Sequence, residues 1–179
     1  MVLSTEVIQG QIVLLLVPKK TYQYAIQELT KLMYAQSRKI CYISINRPYM
    51  TLKPWISQLG LNDGNFFFVD TVTSSVQPPP MVDDCIFVQS PSALTDINLA
   101  FNSAITEKKC ESCILDAVST LLIYEDPHTV LKFIHSLITK SRMQNIKLVF
   151  LALKEDAEIL AKDLVMFVDN VVEEKALVV

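Results

Sequence analysis

Hydrophobic and polar positions fall into blocks of two different periods along the chain. Residues 11–17, 39–45, 65–70, 84–89, 112–118, 147–153 and 167–172 are short runs rich in Ile, Val, Leu and Phe. Several are apolar at every position, which suits strands covered on both faces, as in a parallel sheet. A last short strand is expected over 176–179. Between the runs the period becomes helical. Over 21–36, Tyr22, Ala25, Ile26, Leu29, Leu32 and Met33 share one face. Helix 49–59 follows Pro48 and stops at Gly60, and Pro54 inside it should bend or split it. Helix 92–108 follows Pro91 with Ser92 as its expected N-cap. Helix 127–142 has Asp126 in that role and carries Val130, Leu131, Ile134, Leu137 and Ile138 on one side. Helix 155–165 opens with acids, as a helix N-terminus prefers.

Strands alternating with helices imply right-handed crossovers and an α/β fold: a three-layer α/β/α sandwich around a mainly parallel central sheet. The clearest loop is 74–81, which contains Pro78, Pro79 and Pro80. No internal repeat is visible and nothing marks a second domain, so residues 1–179 read as one domain.

Composition narrows the function classes. The net charge is −3 with both signs interspersed, which argues against a general nucleic-acid backbone binder. The pairs Lys19–Lys20, Arg38–Lys39 and Lys108–Lys109 read as solvated helix ends. No apolar run approaches the ~20 residues of a membrane span, and no basic stretch precedes an apolar one as in a secretory signal. Four cysteines without such a signal read as reduced thiols, so a cytoplasmic location is expected.

The junction after the first apolar run carries the main functional clue. It reads Val17, Pro18, Lys19, Lys20, Thr21, without a glycine, and the first glycine after Gly10 is Gly60. Phosphate-binding loops at a strand-to-helix junction need glycines so that successive backbone N–H groups can wrap the phosphates. The architecture is that of a phosphate-binding fold, and the residues of the cradle are missing.

The order and spacing of the elements resemble the RecA/KaiC-like ATPase core, as found in many archaeal proteins. Run 11–17 and helix 21–36 stand where that family places its Walker A strand, loop and helix. Ile40 to Ile45 resembles the second strand, Phe66 to Asp70 a third strand ending in an acid, and Ser112 to Asp116 a Walker B strand followed by a small-residue turn. The resemblance implies a RecA-like core with the Walker A and Walker B strands near one another at the centre of the sheet. It also marks Lys20, Thr21 and Asp116 as relic cofactor-binding positions, Lys20 and Thr21 matching the Lys-Thr pair that holds phosphate and Mg²⁺. The family's catalytic glutamates follow the second strand, where this chain has Ser44, Ile45, Asn46, Arg47 and Pro48. No carboxylate stands there to activate a water. Asp116 is left to cap a turn or to pair with Thr21 or Ser119.

These departures predict a catalytically inactive RecA/KaiC-like domain, with no catalytic residue, metal or cofactor, acting as a regulatory or scaffolding module. Its expected partner is another protein, itself or an active relative, with neither nucleic acid nor membrane involved. The alternatives are an ATPase or nucleotide sensor with an unorthodox phosphate loop, or a DNA-associated accessory protein of the recombinase-paralogue kind. Tyr22, Tyr24, Tyr34, Tyr42, Tyr49 and Trp55 are interleaved with cations in the first third, a pattern compatible with base stacking. Core packing explains Tyr22 better, and Tyr49 and Trp55 suit a protein interface. Cys110 and Cys113 form a C-x-x-C that precedes a strand, the wrong end for thiolate activation, and reads as two unrelated thiols. His128 and His135 lie two helical turns apart, too far to share a metal by themselves. His128 is expected to be exposed and His135 partly buried.

Overall fold

A computed structural model describes residues 9–173 of the chain. It contains seven strands, β1 (Ile12–Val17), β2 (Ile40–Ser44), β3 (Phe66–Asp70), β4 (Cys85–Phe87), β5 (Ser112–Asp116), β6 (Lys147–Leu153) and β7 (Asn170–Glu173). The helices are α1 (Tyr22–Gln36), α2 (Tyr49–Gln58), α3 (Leu94–Thr106), α4 (Val118–Leu121), α5 (Pro127–Gln144) and α6 (Glu158–Leu164). The strands form one sheet in the order β4-β3-β2-β5-β6-β1-β7, and every pair in it is parallel. The three-layer α/β arrangement expected from the alternating blocks is therefore present. The expected strand at 176–179 lies outside the described residues.

The continuous apolar runs are explained by burial on both sides. Ile12, Leu14 and Leu16 of β1 join a core with residues of α3, α5 and α6. Val13, Leu15 and Val17 alternate into a second core with residues of α1 and α2. A strand sandwiched in this way has no solvent face and needs no polar alternation. β5 lies at the middle of the sheet, as the resemblance implies. β1 is interior but second from one edge, separated from β5 by β6.

Element ends differ from the sequence pattern where side chains have tertiary work. Ser92 does not cap α3: Ala93 is the residue before its first turn, and the Ser92 hydroxyl bonds Ser90 at 2.8 Å. Asp126 does cap α5, accepting from the amides of His128 at 3.0 Å and Thr129 at 3.1 Å. α2 runs through Pro54 as one helix. Pro54 is solvent-exposed, so the carbonyl one turn back loses a helical donor on a side open to water. Gly60 ends α2 with φ of +76°, and the Leu61 amide reaches back to the Ile56 carbonyl at 3.4 Å.

The seventh strand begins three residues later than its apolar run because Phe167 and Val168 close α6, bonding back to Leu164. Asp169 then turns towards β1. Its carboxylate accepts from the amides of Gln11 at 2.9 Å and Ile12 at 2.8 Å and pairs with Arg142 at 2.8 Å. Gly10 permits this approach: its φ is +99°, and a Cβ there would stand 2.8 Å from the Asp169 Cβ. The Arg142 hydrogen bond, helped by the two amides, holds the Asp169 carboxyl below the ordinary carboxylate range.

A depressed folded-state pKa contributes stability that is complete above the unfolded value and lost as pH falls through the folded one. Asp169→Asn should therefore cost about 1–2 kcal/mol at neutral pH. The gap between it and the parent should close as urea titrations are moved below about pH 4.

Candidate functional site

Open parallel sheets bind ligands outside the carboxyl ends of their strands, where neighbouring connections leave for opposite faces. β1 and β2 are followed by α1 and α2 on one face, whereas β5 and β6 are followed by α5 and α6 on the other. In the order β2-β5-β6-β1 this creates two crevices, one between β2 and β5 and one between β6 and β1. Each is occupied by an acid and a base of the chain itself.

At the β2/β5 crevice stands Asp116, the last residue of β5, with no solvent exposure. It shares strand parity with Ile114 and so faces the α1/α2 side. Its carboxylate accepts from the Tyr22 hydroxyl at the start of α1, from Tyr42 of β2 at 2.7 Å and from the Arg47 guanidinium at 3.1 Å. Arg47 also donates to the Tyr42 oxygen at 2.9 Å and lies over the Trp55 ring, 4.3 Å from its centroid. The Arg47 loop is held by Ser44, whose hydroxyl donates to the Arg47 carbonyl at 2.7 Å and accepts from its amide at 3.0 Å. The peptide between Asp116 and Ala117 is cis.

Burial first, and then the Asp116 charge, push both tyrosine hydroxyls well above their ordinary range, so they stay protonated donors. Burial works against the Arg47 charge, but Tyr42 and Asp116 outweigh it and raise the guanidinium pKa. The result is a charge-paired carboxylate with three side-chain hydrogen-bond donors. A metal or substrate would have to displace them.

At the β6/β1 crevice the chain leaves β1 through a 3-10 turn over Lys19–Thr21 that leads directly into α1. The Lys19 amide, where a phosphate loop would present its donors, points at the Glu155 carboxylate, with its oxygens 3.1 and 3.2 Å away. The Lys19 ammonium pairs with Asp156 at 3.2 Å. Both acids follow β6, which is why α6 begins at Glu158 and not at the start of the acidic stretch. Lys20 is exposed. Thr21 donates from its hydroxyl to the Pro18 carbonyl at 3.3 Å. The segment meets Asp116 through Tyr22.

Asp116 does not pair with Ser119, whose hydroxyl oxygen instead accepts from the Leu153 amide at 3.0 Å. Arg47, Tyr22, Tyr42 and Glu155 have no place in the sequence-level site. Arg47 had one visible signal: a cation stands where the resemblance places acids, across from the Walker B-like Asp.

The other candidates are dispersed. Tyr42 is fully buried, Tyr34 stacks on Phe66 at 6.1 Å, and Tyr49 is edge-on to Phe68 at 5.4 Å and Phe87 at 5.7 Å. Only Tyr24 of these aromatics is substantially exposed, so no row of open rings awaits bases. Tyr49 is buried, and Trp55 is half-buried with the Arg47 guanidinium over its ring. The exposed apolar side chain of α2 is Met50. His135 is exposed, not partly buried, with its ring 4.9 Å from Phe167, and His128 is exposed. Among the described residues no cluster of three or more His, Cys, Asp or Glu side chains is arranged to hold a metal. No described helix is long and apolar enough to cross a membrane.

Cys110 and Cys113 are both buried free thiols. Cys113 stands beside Cys41 in the β2/β5 register. Burial raises the Cys110 pKa, and a hydrogen bond with Cys113, then burial, raises that of Cys41. Alkylation of the native protein at neutral pH should therefore be slower than that of free cysteine.

No protein-family model matches the chain, and no curated protein sequence matches it. Among solved structures, a KaiC-like protein from the hyperthermophilic archaeon Pyrococcus horikoshii OT3 shares the fold with a TM-score of 0.56. The two are 9% identical, and the match covers 80% of this chain and 61% of the other. The likeness establishes a RecA-like α/β fold. This chain spans less than two thirds of that relative's length.

Removing one member of a buried ion pair leaves an uncompensated charge. Arg47→Met should lower unfolding free energy by about 3–5 kcal/mol in urea titrations. Arg47→Met combined with Asp116→Asn should recover part of that loss, because the stranded charge is then gone.

Proposed function

We propose that this chain is a catalytically inactive RecA/KaiC-like domain. It works in the cytoplasm as a regulatory or scaffolding module through contacts with other proteins, either copies of itself or an active relative. The observation that carries this reading is the Asp116 network. An acid at the end of a central strand is useful for holding Mg²⁺ and nucleotide only if its lone pairs are available. Here they are taken by Tyr22, Tyr42 and Arg47. Displacing Arg47 would strand its charge in a dry site and break its contact with Trp55.

The second crevice supports the same reading. A carboxylate on the Lys19 amide supplies the anion that a phosphate would otherwise bring. With no glycine from 11 to 59, the junction cannot wrap a polyphosphate with consecutive amides. Hydrolysis also lacks a base, because the position expected to carry glutamates carries Arg47. What the fold retains is its surface, and a protein-binding role uses that surface without chemistry.

The purified chain, incubated with ATP or GTP and Mg²⁺ and followed by phosphate release, should show no turnover above the buffer rate. Equilibrium dialysis with labelled ATP should show no saturable binding at millimolar nucleotide. Metal-dependent turnover that disappears in Asp116→Ala would overturn the proposal in favour of an ATPase. Saturable binding without turnover would favour a nucleotide sensor.

A further inference from the structure

The connection from β3 to β4 joins two neighbouring parallel strands through one 3-10 turn (Thr73–Ser75) and no α-helix, and its middle is built from Val76, Gln77, Pro78, Pro79, Pro80 and Met81. Residues 78–82 have neither helical nor strand structure. Proline fixes φ near −65°, so three in succession hold the chain extended before any partner arrives. Val76 is 79% exposed and Met81 102% exposed, so the prolines are flanked by two apolar side chains in water. Among the described residues, none from Pro78 to Met81 makes a hydrogen bond or ion pair.

Both ends of this segment are fixed. On the β3 side the buried Asp70 accepts from the Val72 amide at 2.7 Å, the Thr73 amide at 2.9 Å and the Thr73 hydroxyl at 2.5 Å. On the β4 side Asp84 is bound by Lys53 at 2.5 Å and the Tyr49 hydroxyl at 2.7 Å. A spacer needs neither exposed apolar flanks nor a run of prolines. A displayed ligand gains from both, because most of its ordering entropy is lost during folding and not during binding.

We propose that the 76–81 loop is a ligand displayed for a partner protein whose groove is floored by aromatic rings, with a cation at the end that meets Asp83. Extended proline segments dock by laying their rings against aromatic side chains, which recognise a shape fixed in advance. Val76 and Met81 extend the apolar contact at either end. Asp83, exposed, follows at once and gives a single cation beside the groove something to meet, whereas Asp84 is already paired with Lys53. The inference rests on the protein-binding role proposed above and names the surface and the partner's chemistry.

The test uses the full chain with Met81→p-benzoylphenylalanine, irradiated in native extract, and mass spectrometry to map the cross-linked residues of any adduct. The expected adduct is to another protein, at a segment containing two or more aromatic residues. Its yield should fall about tenfold in Pro78→Ala/Pro79→Ala/Pro80→Ala, the effect of losing about 1.4 kcal/mol of binding. Thermal melting of that variant should match the parent. If it does not, Val76→Asp, which leaves the prolines in place, must produce the same loss of adduct. No proline-dependent adduct, an adduct to a second copy of this chain, or one to a surface without aromatics would overturn the proposal. The same photoreactive residue placed at Met50 separates the two readings. Specific adducts there with none at Met81 would leave the scaffolding role standing and remove the loop from it.

Discussion

A carboxylate with no exposure at the carboxyl end of the central strand is the constraint on which the site depends. An isolated buried charge of this kind is too costly to keep, so it must be neutralised and its lone pairs filled. Asp116 is served by groups from three elements: Tyr22 from the start of α1, Tyr42 from β2 and Arg47 from the loop after β2. These contacts fix where α1 begins relative to the sheet and how the chain turns out of β2. Ser44 and Trp55 in turn position Arg47. These contacts make the end of the β2/β5 crevice a structural clamp.

The β6/β1 crevice follows the same logic with more exposed groups. The Lys19 amide lies at the start of the turn leading into α1, a position that favours negative charge. Glu155 supplies it, and Asp156 neutralises the Lys19 ammonium. Surface pairs of this kind contribute little to stability. Their consequence is occupancy: an incoming anion competes with a carboxylate tethered a few residues beyond β6. Both crevices that the topology creates therefore hold contacts within the chain, Asp116 with Tyr42 and Arg47 in one and Lys19 with Glu155 and Asp156 in the other.

The fold was legible in the sequence because burial on both faces leaves a direct trace. Run 147–153 is apolar after its first residue and is β6 without adjustment. Run 112–118 overshoots β5 because Val118 is equally apolar as a core residue of α4. The acidic start at 155 reads as a helix N-terminus, yet Glu155 and Asp156 are spent on Lys19 and the helix starts later. Phe167 and Val168 read as strand, yet they close α6 so that Asp169 can reach the β1 amides. In each case the local pattern was sound and a longer-range contact took the terminal residues.

The sequence by itself determined the α/β class, the seven apolar strands within the described residues and the absence of a glycine cradle. Each of these depends on residue type and local period alone. It also marked Asp116 as the acid at a strand end. Only the tertiary structure decided what Asp116 does, because its partners lie 94, 74 and 69 residues away in the chain. It likewise decided that Glu155, 136 residues from Lys19, accepts from the Lys19 amide. Hydrogen bonds between groups so distant in sequence have no period and no motif; they exist only once parallel pairing has brought the carboxyl ends of the strands to one edge of the sheet.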